Sequence, residues 1–277
     1  MSDFIFYLIL FMLSLHNIQR SIWWNHILNG IDLTAKQGQA IWLVGPNGCG
    51  KTSLLNVING FYQASHGSII FDDKHITHVS IENRGQMGIG RVFQSFGIFK
   101  NLTLFENLAL AFINTLHWKY KFLPPSFLPK EKKDQIDAVL HELDLYHKKN
   151  QLAGELSGGQ MRLLEIARLY LQDTKLFLLD EPTAWVSPKL KGKVIELLNK
   201  IIQTGKTVII VEHDFEFLWQ FVDQIMVMDE GKIVLEGSYQ EIKNSEVIKE
   251  IYFGRGSEKK EGNKILTRGD LVKEHVT

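Results

Sequence analysis

Apolar runs bounded by turn residues divide the chain into short strands and amphipathic helices. Ala40 to Val44 is continuously apolar, and Lys51 to Ile58 follows helical spacing and stops at Asn59 and Gly60. The pattern therefore predicts a buried strand, a short loop and a helix. Upstream, from Leu13 to Val44, short apolar runs alternate with the turn signals Asn25-His26, Asn29-Gly30 and Lys36-Gln37-Gly38. These read as antiparallel strands. Gly67 to Phe71 is a further short strand, followed by a polar connection through Gly85. Gly88 to Gln94 reads as a strand ending in a polar residue, and its glycines do not follow the G-x-G-x-x-G spacing of a dinucleotide site. Leu176 to Leu179 and Thr207 to Val211 are apolar without interruption, the signature of strands covered on both faces of a parallel sheet. Ile225 to Met228 and Ile233 to Leu235 flank Asp229-Glu230-Gly231-Lys232, a hairpin signal.

Helical periodicity dominates the middle of the chain. Asn101 to Phe112 puts Leu104, Leu108 and Phe112 on one face, with Thr103 and Glu106 placed to cap its start. A break at Pro124, Pro125 and Pro129 precedes Lys130 to Leu145, whose apolar stripe is Ile136, Val139, Leu140 and Leu143. This block lies between the strands, which marks a helical subdomain at about residues 95–172 within a single domain spanning 1–253. From Gly254 the chain is polar and charged, so 254–277 is expected to be a mobile tail.

The apolar run Phe4 to Leu13 is too short to span a bilayer as a helix and lacks the flanks of a signal peptide. It reads as a buried first strand with an apolar extension, as a membrane-associating segment, or as residues ahead of a mis-set start. Elsewhere no stretch approaches a transmembrane length. With 277 residues there is material for one large or two small domains. The 31 basic side chains equal the 31 acidic ones, so no global field favours nucleic acid. One cysteine excludes an internal disulfide framework and suits a reducing compartment.

Chemistry concentrates at the ends of the strands. Gly45, Pro46, Asn47, Gly48, Cys49, Gly50, Lys51, Thr52 and Ser53 fit the phosphate-loop pattern G-x-x-x-x-G-K-[ST] between a strand and a helix. Glycines let backbone N–H groups turn onto phosphate oxygens, and the helix N-terminus adds partial positive charge. Lys51 would reach the β- and γ-phosphates of a nucleotide and Thr52 would offer its hydroxyl to Mg²⁺. Cys49 is either a reactive thiol at a helix N-terminus or simply a small residue. The strand at Leu176 ends in Asp180 and Glu181, and the strand at Thr207 ends in Glu212 and His213. In a parallel sheet such residues gather beside the ligand. Ser157 precedes a helix running to about Leu171 and can cap it, making a second anion site with the following N–H groups. Trp23 and Trp24 sit in a connection between strands, either packed in the core or available to stack on a flat ring.

The ordered set GPNGCGKTS, VFQ, LSGGQ, LFLLDEP and VEHD resembles the ATP-binding subunit of ABC transporters over roughly residues 12 to 240. The resemblance implies an α/β P-loop NTPase core with a mixed sheet, an antiparallel β subdomain and a helical subdomain. It implies ATP and Mg²⁺ as ligands, with Thr52, Gln94 and Asp180 at the metal, Glu181 polarising the attacking water, and His213 stabilising the transferring phosphate. Gln94 would also sense the γ-phosphate and connect to the segment that touches the membrane subunit. Ser157, Gly158, Gly159 and Gln160 would bind the γ-phosphate held by a second subunit, and Trp23 or Trp24 would stack on adenine. Lys51 and Glu181 then come from one chain and Ser157 from another, so hydrolysis requires a head-to-tail dimer, homo- or heterodimeric. The other implied partners are integral membrane permease subunits and a solute-binding protein, with no nucleic acid. The implied location is peripheral, on the cytoplasmic face of the inner membrane.

One stretch departs from the family pattern. In the run Trp185, Val186, Ser187 ahead of Pro188, Trp185 stands where the family has a glycine and Ser187 where it has an Asp or Asn, which would weaken cooperativity or turnover even with ATP bound normally. The runs GFYQASHGSIIFDD and GIGRVFQSFGIFKNLTLFENLALA are most like those of branched-chain amino acid or urea importer ATPases. Two alternatives remain open at this level: a soluble non-transport ABC-type ATPase, and a nucleotide-dependent binding module with weak hydrolysis.

Overall fold

The computed structural model describes residues 11–95, 97–113, 127–184, 186–212, 222–243 and 245. The expectations for residues 4 to 10, for Trp185, for His213 and for the tail from Gly254 lie outside the described residues.

Two sheets organise the described chain. The first is antiparallel, in the order β2-β1-β4-β5, from β1 (Phe11–Ile22), β2 (Asn25–Lys36), β4 (His66–Phe71) and β5 (Lys74–His75). The second has the order β10-β9-β3-β8-β7-β6. It contains β3 (Ala40–Val44), β6 (Ile89–Val92), β7 (Leu176–Asp180), β8 (Thr207–Val211), β9 (Gln224–Asp229) and β10 (Lys232–Gly237). Only β10 joins antiparallel, so the sheet is mixed. Among the described residues the α-helices are α1 (Lys51–Asn59), α2 (Ile81–Gln86), α3 (Leu104–Ala109), α4 (Lys130–Glu142), α5 (Gly158–Leu171), α6 (Pro188–Gln203) and α7 (Tyr239–Lys243).

Alternation along the central strands sends side chains into two separate cores. Trp42, Val44, Phe177, Leu179, Val208 and Ile210 face one cluster, which includes residues of α3 to α6. Ile41, Leu43, Leu176, Leu178, Ile209 and Val211 face the other, which includes α1 and the antiparallel sheet. Burial on both faces is why these strands read as unbroken apolar runs rather than alternating ones. Parallel register then aligns their ends: Leu43 pairs with Val211, Val211 with Asp180, and Leu179 with Val92. The residues following all four strands meet along one edge.

Two expectations about the first strands need correction. Asn29-Gly30 does not end a strand, because β2 runs through it. Ile31 pairs with Ile18 and Asn29 with Gln19, leaving Gly30 as a bulge with φ 83°. A bulge takes the same residues as a turn and only bends the strand. Asn25-His26 likewise opens β2 rather than ending a strand. The turn is the pair Trp23 and Trp24, with Trp23 at φ 56°, and both indoles are more than four-fifths exposed. Neither tryptophan is in the core.

The polar connection through Gly85 contains α2, whose Arg84 is buried. Its guanidinium donates to the carbonyls of Val57 and Ile58 at the C-terminal end of α1, and to those of Ile76, Thr77 and Val79. The Val57 carbonyl also accepts from the N–H of the C-cap Gly60 at 3.3 Å, so glycine and arginine together close the end of α1. Burial lowers the Arg84 pKa to about 10, still charged at neutral pH. Arg84→Met is expected to cost about 3 kcal/mol or more of unfolding free energy, since several buried acceptors lose their donor at once. Urea denaturation checks this, and an unchanged midpoint would contradict it.

Candidate functional site

The loop between β3 and α1 needs glycine at specific places. A Cβ on Gly45 would come within 2.1 Å of the Met228 carbonyl oxygen, and one on Gly50 within 2.9 Å of the Ile27 oxygen. Gly48 and Gly50 have φ of 83° and 109°, in the left-handed region. The loop is braced from behind by the β9–β10 turn, where Gly231 donates its N–H to the Cys49 carbonyl at 3.0 Å. Lys51 opens α1 and folds back over the loop, its Nζ donating to the carbonyls of Gly45 at 2.7 Å and Pro46 at 2.9 Å. Its side chain is thus held against the loop at the wall of the cleft it lines.

Cys49 is buried beneath the same loop. Burial pushes its thiol pKa up, against the opposing pull of Lys51. Of the two readings of this residue, the small packing residue fits and the activated thiol does not. Iodoacetamide at pH 8 is expected to label Cys49 slowly in the native protein and rapidly in urea. Comparable rates in both would contradict the burial.

Around the loop opens a cleft of about 410 Å³ lined by Asn47, Gly48, Gly50, Lys51, Thr52 and Ser53, with Ile27, Val211, Gln94 and Glu181 completing the wall. Gln94 donates from Nε2 to Glu181 Oε2 at 3.2 Å, although the two lie 87 residues apart. Glu181 sits at φ 49°, unusual for a side chain of its size, and its N–H donates to the Val211 carbonyl at 2.8 Å. That turn aims the carboxylate into the cleft, and strained backbone of this kind gathers at working sites.

Asp180, one residue earlier, is buried and paired with Arg91 on β6 at 2.8 Å. Burial lowers the Arg91 pKa to about 10 against the opposing pull of Asp180, so the guanidinium stays charged. Just past the end of the neighbouring strand β8 the buried Glu212 carboxylate accepts from the Thr183 N–H at 2.7 Å and from the Thr183 hydroxyl. This bond ties the end of β8 to the turn that follows Glu181.

The helix cap at Ser157 forms as the sequence implies. Ser157 Oγ accepts from the Gln160 N–H, while the Gln160 side chain accepts from the Ser157 N–H, a complete capping box. Ser157 is exposed, and its O–H remains available to donate outward. Ser157, Gly158 and Gly159 are absent from the lining of the phosphate-loop cleft.

Several residues of this arrangement carry no motif. Arg91, Arg162 and Glu165 are charged with almost wholly buried side chains, and a sequence reading assigns such residues to the surface by default. The usable signal for Arg91 is its place three residues before Gln94, inside a short apolar strand.

Comparison with known proteins decides the family. The family model described as "ABC transporter" matches residues 28–184. The chain belongs to the ABC transporter family. It is 35% identical over 240 residues to the "Probable branched-chain amino acid transport ATP-binding protein LivG" of Methanocaldococcus jannaschii, covering 82% of this chain and 91% of that protein. A crystal structure of the ADP conformation of an ATP-binding cassette of an ABC transporter superposes with a TM-score of 0.77. The two are 32% identical, over 88% of this chain and 99% of that one. The dimeric structure of a post-hydrolysis state of another cassette, bound to ADP and Pi, gives a TM-score of 0.70 at 26% identity. That match covers 82% of this chain and 98% of the other. As an ABC cassette, the chain is the subunit in which ATP hydrolysis is coupled to transport. Among the described residues, no helix is long and apolar enough to cross a membrane.

Proposed function

We propose that this chain hydrolyses ATP between two ATP-binding subunits to energise an importer of branched-chain amino acids or related small polar solutes. Within that reading it sits peripherally on the cytoplasmic face of the membrane that holds its permease subunits. The observation that carries the chemistry is the cleft in which the phosphate loop, Gln94 and Glu181 meet. The names of the relatives support the solute class.

The residues divide the work as follows. N–H groups of the loop and of the first turn of α1 bind the phosphate oxygens, and Lys51 exchanges its two carbonyl partners for the β- and γ-phosphates. Thr52, Gln94 and Asp180 supply only oxygen donors, the set a hard divalent cation prefers. They would hold Mg²⁺, which when bound neutralises charge on the phosphate oxygens. Glu181 orients a water against the γ-phosphate and takes its proton, with Gln94 holding the carboxylate in place. Ser157 and the N–H groups of Gly158, Gly159 and Gln160 come from the second subunit, since they lie off this chain's own cleft. Trp23 and Trp24 lie in the turn that leads into β2, three to four residues before Ile27 at the cleft wall. At about 3.3 Å per fully extended residue they stand no more than roughly 10–13 Å from it along the chain, in range to stack on the base.

A groove of about 770 Å³ opens beside Gln94, lined by Ile81 and Glu82 of α2, by Gly90, Arg91 and Phe93, and by Leu169 of α5. Its contact with both the strand before Gln94 and the helical elements suits it to receive a permease segment. The test is affinity purification from detergent-solubilised membranes of a host carrying the neighbouring genes. An integral membrane protein is expected to co-purify and to raise the ATPase rate, and recovery of none would sink the transport reading.

A further inference from the structure

We infer that Arg162 and Glu165 are positioning residues that lock Gln94 and Ser157 into one body. The inference rests on the composite site just described. Both residues lie on α5, the helix that Ser157 caps, and their side chains are essentially unexposed and paired at 2.8 Å. Arg162 Nη1 donates to the Phe93 carbonyl at 2.6 Å and Nη2 to the Gln94 carbonyl at 2.9 Å. Glu165 Oε1 accepts from the Gly97 N–H at 3.1 Å, and Arg168 Nη2 donates to the Gly97 carbonyl at 2.7 Å. A single helix therefore grips the backbone on both sides of Gln94, while the Gln94 side chain reaches forward to Glu181.

This arrangement is costly unless it does something. Burying an ion pair gains little stability over apolar packing, and burial pushes the Glu165 carboxyl up while pulling Arg162 and Arg168 down. What the pair supplies is direction. Arg162 lies five residues beyond Ser157, about 7.5 Å along a rigid helix. Displacement of Gln94 as it engages a ligand is carried through two carbonyls to α5, and so to the serine that serves the other subunit. Occupation of one half-site thereby aims the donor for the next.

Gly97 allows a local test. A Cβ there would stand 2.7 Å from Glu165 Oε1, so alanine must push the carboxylate off its N–H partner. Gly97 is exposed and its φ lies outside the left-handed region, so Gly97→Ala is compatible with the fold. Arg162→Lys is the conservative counterpart, keeping the charge but unable to span both carbonyls. Each is placed in the Glu181→Gln background, and ATP affinity of the single chain is measured beside ATP-dependent pairing of two chains. Single-chain affinity is expected to stay within about threefold, whereas pairing requires at least about tenfold more ATP or protein. With Glu181 intact, kcat falls by up to about 10²-fold at unchanged KM. A thermal melt close to that of the parent shows that the fold is kept. Parent-like pairing by both variants would overturn the inference. Failure of Glu181→Gln alone to pair would overturn the composite site and this inference together.

Discussion

Lys51→Ala is expected to weaken ATP binding by about 2–5 kcal/mol, roughly 30-fold to several thousandfold, with the fold preserved. The lysine is nearly buried and its Nζ rests on two loop carbonyls. These are weak partners by comparison with phosphate oxygens, because a full negative charge makes a stronger acceptor than a neutral carbonyl. The cation is therefore stored where the phosphates will lie and needs little rearrangement to reach them. Removing it leaves buried phosphate charge uncompensated, which costs more than its hydrogen bonds to the loop. Lys51→Arg is not a conservative rescue, because a planar fork does not fit a pocket shaped around a single ammonium. Isothermal titration with ATP gives the answer. Affinity within threefold of the parent would show that the loop binds nucleotide by its N–H groups alone.

Glu181→Gln is expected to slow hydrolysis by about 10²–10⁴-fold while ATP affinity stays within a few-fold. Gln and Glu are nearly the same shape, so the strained turn at residue 181 and its bond to the Val211 carbonyl are kept. The amide still makes a hydrogen bond with Gln94, but it cannot accept a proton from water. Binding and chemistry should therefore separate cleanly, as they do when a group acts only in the transition state. Single-turnover hydrolysis with saturating ATP measures the loss. A rate within threefold of the parent would remove Glu181 from the role of base.

Why some of this was legible in the sequence and some was not follows from the range of the interactions. The phosphate loop, the Ser157 capping box and the Thr103 capping box with Glu106 are each set within a few residues, so pattern and structure coincide. The strands β3, β7 and β8 were legible because burial on both faces leaves an unbroken apolar run. Gly30 misled because a bulge and a turn select the same residue. Arg84, Arg91, Arg162 and Glu165 could not be placed from the sequence, since what buries them lies many residues away. Arg91 meets Asp180 89 residues further on, and Arg162 meets Phe93 69 residues back. Periodicity gives the phase of a charged residue on its helix or strand, not whether a distant carbonyl or carboxylate is waiting for it.

One chain holds half a site in the proposed mechanism. Lys51, Gln94 and Glu181 line one cleft, while Ser157 caps a helix outside it. Light scattering of Glu181→Gln with saturating ATP and Mg²⁺ tests this most directly. The expected result is a particle of twice the 31.8 kDa of one chain, which falls apart when Ser157→Arg is added. A particle of one chain with ATP bound at full occupancy would contradict it.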